Sequence, residues 1–192
     1  DAFSMSFNIE YANLFDRTQY VTETSGITVN KDTRYILGRI QNQTLTTTLR
    51  LNYSFTPDIS LQFYGQPFIS KGRYTDLNYV LNPTGNSIKN RISVYDDQQI
   101  SFKNEVYTID ENIDGVADYS FSDPDFSFTQ LQTNLVARWE YIPGSELFLV
   151  WSRGSVGDAP ISEDLVDSVS DQVLRSPAND TFLVKFTYRF AR

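Results

Sequence analysis

Hydrophobic and polar residues alternate strictly over several stretches of the chain. From Leu45 to Phe55 the odd positions are Leu45, Thr47, Leu49, Leu51, Tyr53 and Phe55, and the even ones are Thr46, Thr48, Arg50, Asn52 and Ser54. A period of two sends these sets to opposite faces of an extended strand. The division recurs in Leu131, Thr133, Leu135, Ala137, Trp139 and Tyr141 against Gln130, Gln132, Asn134, Arg138 and Glu140. It recurs again in a first strand (Phe3, Met5, Phe7, Ile9, Tyr11) and a last one (Phe182, Val184, Phe186, Tyr188, Phe190). Shorter runs at Ile59–Tyr64 and Glu146–Trp151 bring the expectation to about six strands.

The connections alternate between very short and very long. Thr56-Pro57-Asp58 and Pro143-Gly144-Ser145 read as tight turns. Long connections are expected from about Glu23 to Thr33, from about Ser70 to Ser127 and from about Gly154 to Asn179. The 70–127 stretch could hide a hairpin made of Arg91–Tyr95 and Ile100–Tyr107. Leu165, Val169 and Val173, at four-residue spacing, suggest a short helix within Ser162–Leu174. This is the pattern of an all-β, antiparallel transmembrane β-barrel with short periplasmic turns and long extracellular loops. Residues 1–192 read as one unit, the C-terminal portion of such a barrel. About six strands cannot close one, since bacterial barrels start at roughly eight, so further strands are expected before residue 1.

Composition agrees. No stretch approaches the roughly 20 apolar residues of a membrane-crossing helix, and mean hydropathy is -0.36. The 12 Tyr and 14 Phe suit aromatic-rich strands. A net charge of -8 argues against a nucleic-acid partner, which needs clustered Lys and Arg. The absence of His and Cys removes the commonest general base, the commonest metal ligand and all thiol chemistry. No enzymatic activity is expected.

The sharpest local motif is Asp110-Glu-Asn112-Ile-Asp114-Gly115-Val116-Ala-Asp118. Side-chain oxygens at relative positions 1, 3, 5 and 9, a Gly at 6 and the Val116 carbonyl at 7 follow calcium-loop spacing, although Phe121 stands where an EF-hand places its bidentate Glu. Asp110, Asn112, Asp114, Val116 and Asp118 are therefore the candidate ligands of a structural Ca2+. An Asp/Asn/Gly-rich turn that binds nothing is the competing reading. Glu10, Glu140, Arg50, Arg138, Lys185 and Arg189 fall on the polar face, where ion pairing inside a small or plugged lumen is expected. Trp139, Tyr141, Tyr53 and Phe55 lie beside the short turns, as an interfacial aromatic girdle would. Tyr74, Tyr79, Tyr95 and Tyr107 could stack on sugars or pack the loop.

The ending Thr181-Phe-Leu-Val-Lys-Phe-Thr-Tyr-Arg-Phe190 resembles the C-terminal signal read by the outer-membrane assembly machinery, with Ala191 and Arg192 as extra residues. The run from Leu49 to Phe68, Pro124-Asp-Phe126, Asn134–Ser145 and Phe148–Ser152 resemble one family more closely. It is the Bacteroidota family of unknown function that joins an N-terminal carbohydrate-binding-like (family 9) β-sandwich to a large C-terminal outer-membrane barrel. The resemblance implies location in the bacterial outer membrane, contact with its lipid and a link to glycan handling; it supplies no catalytic residue. The functional expectation is binding or passage of an extracellular ligand. The alternatives are an accessory subunit of a larger envelope complex, or a soluble calcium-dependent β-sandwich lectin.

Overall fold

The computed structural model describes residues 2–24 and 33–190. The chain is all-β, with antiparallel sheets. Three very long strands come first: β1 (Phe3–Thr24), β2 (Arg34–Thr56) and β3 (Ile59–Val80). After a helical turn, α1 (Ile88–Arg91), come four short strands: β4 (Ile92–Val94), β5 (Ile100–Lys103), β6 (Val106–Ile109) and β7 (Tyr119–Ser122). The chain ends with β8 (Phe126–Ile142), β9 (Ser145–Gly157), helix α2 (Leu165–Arg175) and β10 (Asn179–Phe186). The main sheet runs β1-β2-β3-β8-β9-β10, with β4 also on β3; among the described residues β1 and β10 are its edges and no closed barrel is formed. A separate sheet has the order β5-β6-β7.

Two compact units share these strands. The first takes residues 1–12, 43–71 and 127–192, and the second residues 13–42 and 72–126. In the first unit the ladder of β8, β9 and β10 sets Leu135, Trp151 and Phe182 side by side, then Ala137, Leu149 and Val184, then Trp139, Leu147 and Phe186. Residues directly opposite in an antiparallel ladder share a face, so the alternation becomes rows of apolar side chains. Among the described residues no second layer covers them: Phe3, Met5, Phe7 and Ile9 on β1, Tyr53 and Phe55 on β2, Leu149 on β9 and Phe182, Val184 and Phe186 on β10 are all exposed.

The expected tight turns are present and lie together, because Glu140 N donates to Asp58 O at 2.8 Å. Gly144 at φ +78° supplies the left-handed corner of the second turn. The expected last strand is shorter than its alternation. Thr187 still exchanges both backbone hydrogen bonds with Glu146, but β9 begins at Ser145, opposite Tyr188, so Phe190 has no ladder left on that side.

The helix expected in Ser162–Leu174 is α2, but its inward residue is polar. Ser168 is buried, Leu165 and Val169 are half-buried, and Val173 is exposed. The connection carrying α2 is tied down by Lys71 of β3, whose Nζ donates to Pro160 O (2.7 Å), Glu163 O (2.6 Å) and Ser168 Oγ (2.8 Å). Those three acceptors match the three protons of an ammonium. Lys71→Met keeps the apolar stem and leaves two carbonyls without that donor, at a cost of about 1–3 kcal/mol. The expected result is faster proteolytic cleavage between residues 158 and 178; an unchanged cleavage rate contradicts this role for Lys71.

The second unit differs most from expectation. β3 continues to Val80, so the connection begins ten residues later than Ser70, and within it Arg91–Tyr95 does not pair with Ile100–Tyr107. Ile92–Val94 pairs with β3 instead, and Ile100–Lys103 pairs with Val106–Ile109. Consecutive left-handed residues, Asn104 (φ +54°) and Glu105 (φ +62°), make the tight hairpin corner between β5 and β6. The core here is Ile36, Leu77, Tyr95, Ile109, Tyr119 and Phe121. Gly72 is required by packing: a Cβ there would lie 2.2 Å from the Phe126 ring. The connection expected at Glu23 to Thr33 lies, for residues 25–32, outside the described residues.

Candidate functional site

A polar chain runs through the core of the second unit. Hairpin β5–β6 delivers Glu111 just past the end of β6, and β7 returns Tyr119 alongside it. Arg34, the first residue of β2, reaches Glu111 with Nε to Oε1 at 2.8 Å and Nη2 to Oε2 at 3.0 Å. This two-pronged geometry is the strongest a guanidinium and a carboxylate can make. Tyr119 OH donates to the same Oε1 at 2.5 Å, Tyr95 OH lies 2.8 Å from Tyr119 OH, and the Arg34 guanidinium covers the Tyr79 ring at 5.1 Å. The side chains of Arg34 and Glu111 are only 13% and 7% exposed, so the pair is desolvated.

Burial pushes the Glu111 carboxyl up, but hydrogen bonds from Arg34 and Tyr119 outweigh it and hold the group below the usual carboxylate range. Burial raises both tyrosine hydroxyls well above their ordinary value. Glu111 is therefore a fixed anion between neutral phenols and a cation, an arrangement that locks geometry and has no proton to exchange near neutral pH.

The calcium-spaced turn adjoins this chain. Asp110 Oδ1 accepts Asp114 N (3.2 Å) and Oδ2 accepts Gly115 N (2.8 Å); Asn112 Oδ1 accepts Asp114 N (3.1 Å); Asp114 Oδ1 accepts Val116 N (2.9 Å). Asp118 Oδ2 takes the Glu111 N–H at 2.8 Å and closes the base of the turn. Gly115 at φ +86° makes the sharp bend that calcium loops require. Asp110, Asn112 and Asp114 are thus brought together, Asp118 is drawn to the base, and Val116 is exposed. The described residues contain no group of three or more acidic side chains arranged to hold a metal. A cation here would draw on Asn112 Oδ1 and main-chain carbonyls as well, oxygen ligands that calcium accepts.

On the polar face of the first unit, the charged groups of Arg138, Arg50 and Lys185 are each engaged. Arg138 binds Glu146 through Nε (2.7 Å) and Glu140 through Nη2 (2.9 Å), and Glu140 Oε1 also accepts Gly144 N. Arg50 lies over Tyr64 at 5.3 Å and Lys185 over Phe148 at 5.6 Å. Arg189 N donates to Ser145 Oγ, and Glu10 has an exposed position on β1. Of the aromatics beside the turns, Trp139, Tyr53 and Phe55 are exposed, whereas Tyr141 stacks on Phe186 and donates to Thr187 O. Tyr79, Tyr95 and Tyr107 pack inward, Tyr79 on Tyr95 and Tyr107 on Phe121, so loop packing accounts for them; Tyr74 is half-buried.

Sequence reasoning missed Arg34, Lys71 and the role of Glu111. Arg34 and Glu111 stand 77 positions apart with no periodic pattern between them, and Glu111 is hidden inside an acidic run that reads as solvated loop.

No curated protein and no solved structure matches the chain. Residues 1–190 do match a family, described as a domain of unknown function, DUF5916. With strands, turns and connections all inside the matched span, the chain belongs to the DUF5916 family.

Proposed function

We propose that this chain forms part of the wall of an outer-membrane β-barrel and that its long-connection end engages an extracellular ligand, a glycan foremost, without catalysing a reaction. The observation that carries this is the uncovered apolar face of the first unit. In water so much contiguous apolar surface is a liability, and a sandwich lectin would bury it under a second sheet. Against lipid it is the expected outer surface, with Trp139, Tyr53 and Phe55 at the headgroup level beside the turns. The main strands, at 22 or 23 residues, are about twice the 9–11 needed to cross a bilayer. Lipid tolerates no open sheet edge, so strands from polypeptide outside these residues complete the wall next to β1 and β10, and the C-terminal strand addresses the chain to the assembly machinery.

The test is extraction of the native protein from bacterial envelopes. Retention in membranes through an alkaline carbonate wash, with release by detergent, supports the reading; release without detergent overturns it. The same open edges favour a second reading, an accessory subunit of an envelope complex. A stable complex after detergent extraction supports that, and a monomer conducting ions in a planar bilayer rules it out.

We propose further that the Asp110–Asp118 turn takes a structural Ca2+, which would neutralise the clustered carboxylates and fix the turn in one shape. Calcium is then expected to slow proteolysis of the 100–122 region, and Asp114→Ala to abolish that protection. Identical digestion with calcium and with chelator refutes it.

A further inference from the structure

The apolar face of the first unit ends at a definite row, and two independent observations mark it. The first is a charge. Thr133, Arg153 and Asp180 stand directly opposite one another in β8, β9 and β10, one row beyond Leu135, Trp151 and Phe182 and on the same face. Their side chains stay on that face: Trp151 Nε1 donates to Asp180 Oδ1 at 2.8 Å, and Arg153 Nη1 reaches Asp180 Oδ2 at 4.0 Å. The second is a cover. In the next row Leu131 and its partner Ser155 are each only 5% exposed, Thr129 beyond them is buried, and so are Ile69 and Lys71 on β3. A Cβ on Gly65 of β3 would lie 3.8 Å from Thr133 Cγ2, so by alternation Ile69 and Lys71 share this face. Lys71 holds Ser168 of α2, and Ser127 of β8 exchanges hydrogen bonds with Ala159, Oγ to O at 2.6 Å and N to Oγ at 2.7 Å. The connection carrying α2 therefore lies on the face of the apolar rows, on the same side of the charged row as these buried residues.

An uncovered band is left between the tight turns and the charged row. On β9 it runs from Ser145 to Arg153, about nine residues, against the roughly 9–11 with which a strand crosses a bilayer. Arginine on a lipid face is strongly destabilising at the midplane and nearly neutral at the interface, where Trp is enriched. A row of Arg and Asp beside a Trp therefore belongs among headgroups and not among acyl chains. We propose that the headgroup layer at the long-connection end lies at Thr133, Arg153 and Asp180, and that Arg153 takes a lipid phosphate. The Arg153 side chain is 41% exposed and its ion pair, at 4.0 Å, is loose, which leaves the planar guanidinium for the two-pronged contact that phosphate favours. The strands beyond that row, with the connection carrying α2 against them, stand clear of the bilayer. Resting on the lipid-facing reading, this placement adds the level of the membrane, with Ala137, Leu149 and Val184 at the midplane.

Nitroxides on single cysteines at Thr133, Leu135, Ala137 and Trp139 of the full-length protein in phosphatidylcholine vesicles test the level and leave Arg153 in place. Relaxation by oxygen, which concentrates in lipid, should dominate at Leu135 and Ala137, peak at Ala137, fall toward Trp139 and give way to a water-soluble nickel chelate at Thr133. Oxygen dominating at Thr133 overturns the placement while leaving the lipid-facing reading intact; nickel dominating at all four positions overturns both. For the phosphate contact, Arg153→Gln should lower the urea midpoint of unfolding in phosphatidylcholine vesicles. It should leave that midpoint unchanged in vesicles of digalactosyldiacylglycerol, whose headgroup carries hydroxyls and no phosphate. Arg153→Lys, which keeps the charge and loses the two-pronged contact, should show a smaller lowering in phosphatidylcholine alone, and decides the matter if Arg153→Gln does not fold. Equal lowering in the two lipids makes Asp180 the partner and overturns the phosphate contact, as does no lowering in either.

Discussion

On the proposed membrane placement, arginine at Leu149 or Val184 is expected to destabilise the protein by about 2–4 kcal/mol if the position lies near the bilayer midplane. Leu149 and Val184 are direct neighbours in the β9–β10 ladder, on the face that also carries Ala137. Arginine at Ser152, on the opposite face beside Asn134, should cost far less, because a charge there meets polar side chains and water. The measurement is folding into liposomes across a urea series, read by heat-dependent gel migration. Comparable losses at Leu149 and Ser152 would show that the two faces meet the same solvent.

The second large effect is expected in the core of the other unit. Arg34→Met strands the buried Glu111 carboxylate and should cost about 3–5 kcal/mol, while replacing both partners with apolar residues should recover much of that loss. The readout is amide hydrogen exchange across β5, β6 and β7. The pH dependence follows from the same pair. Glu111 has a folded value below its ordinary 4.5, so its contribution is complete above about that pH and is lost as pH falls through the lowered value. Tyr95 and Tyr119 have folded values above their ordinary 10.0, so their contribution is complete below that pH and is lost as pH rises through the raised values. Protection should therefore be flat between these limits and fall in acid, and Glu111→Gln should remove the acid-side fall. A fall centred near neutral pH would exclude this pair as its cause.

What could be read in the sequence was whatever one solvent boundary imposes on many residues at once. On the proposed membrane placement, Leu45 to Phe55, Leu131 to Tyr141 and Phe182 to Phe186 would each meet one environment on one face and another on the opposite face, and period two is written plainly there. Beyond Tyr11 on β1, before Leu45 on β2 and after Ser70 on β3, the strands continue without that pattern. Lys71 and Arg34 face other parts of the protein, and each answers to a particular partner. The hairpin was misplaced for a local reason: Asn104 and Glu105 form its corner through left-handed backbones, a weaker signal than an Asn-Gly pair. Helix α2 was legible from the spacing of Leu165, Val169 and Val173, but its buried residue, Ser168, takes its place from Lys71. The close grouping of Asp110, Asn112 and Asp114 followed from spacing; the Arg34 clasp beside them depends on long-range folding that no spacing records.

The account rests on which face of the first unit meets lipid, and the chain contains no Cys to interfere with labelling. Single cysteines placed in turn from Leu147 to Gly154, each carrying a nitroxide, can be read by relaxation enhancement from oxygen, which concentrates in lipid, and from a water-soluble nickel chelate. In the native membrane the two should alternate with a period of two, oxygen dominating at Leu147, Leu149 and Trp151 and nickel at Phe148, Val150 and Ser152. Uniform access to nickel, or oxygen favouring the even positions, would contradict the account.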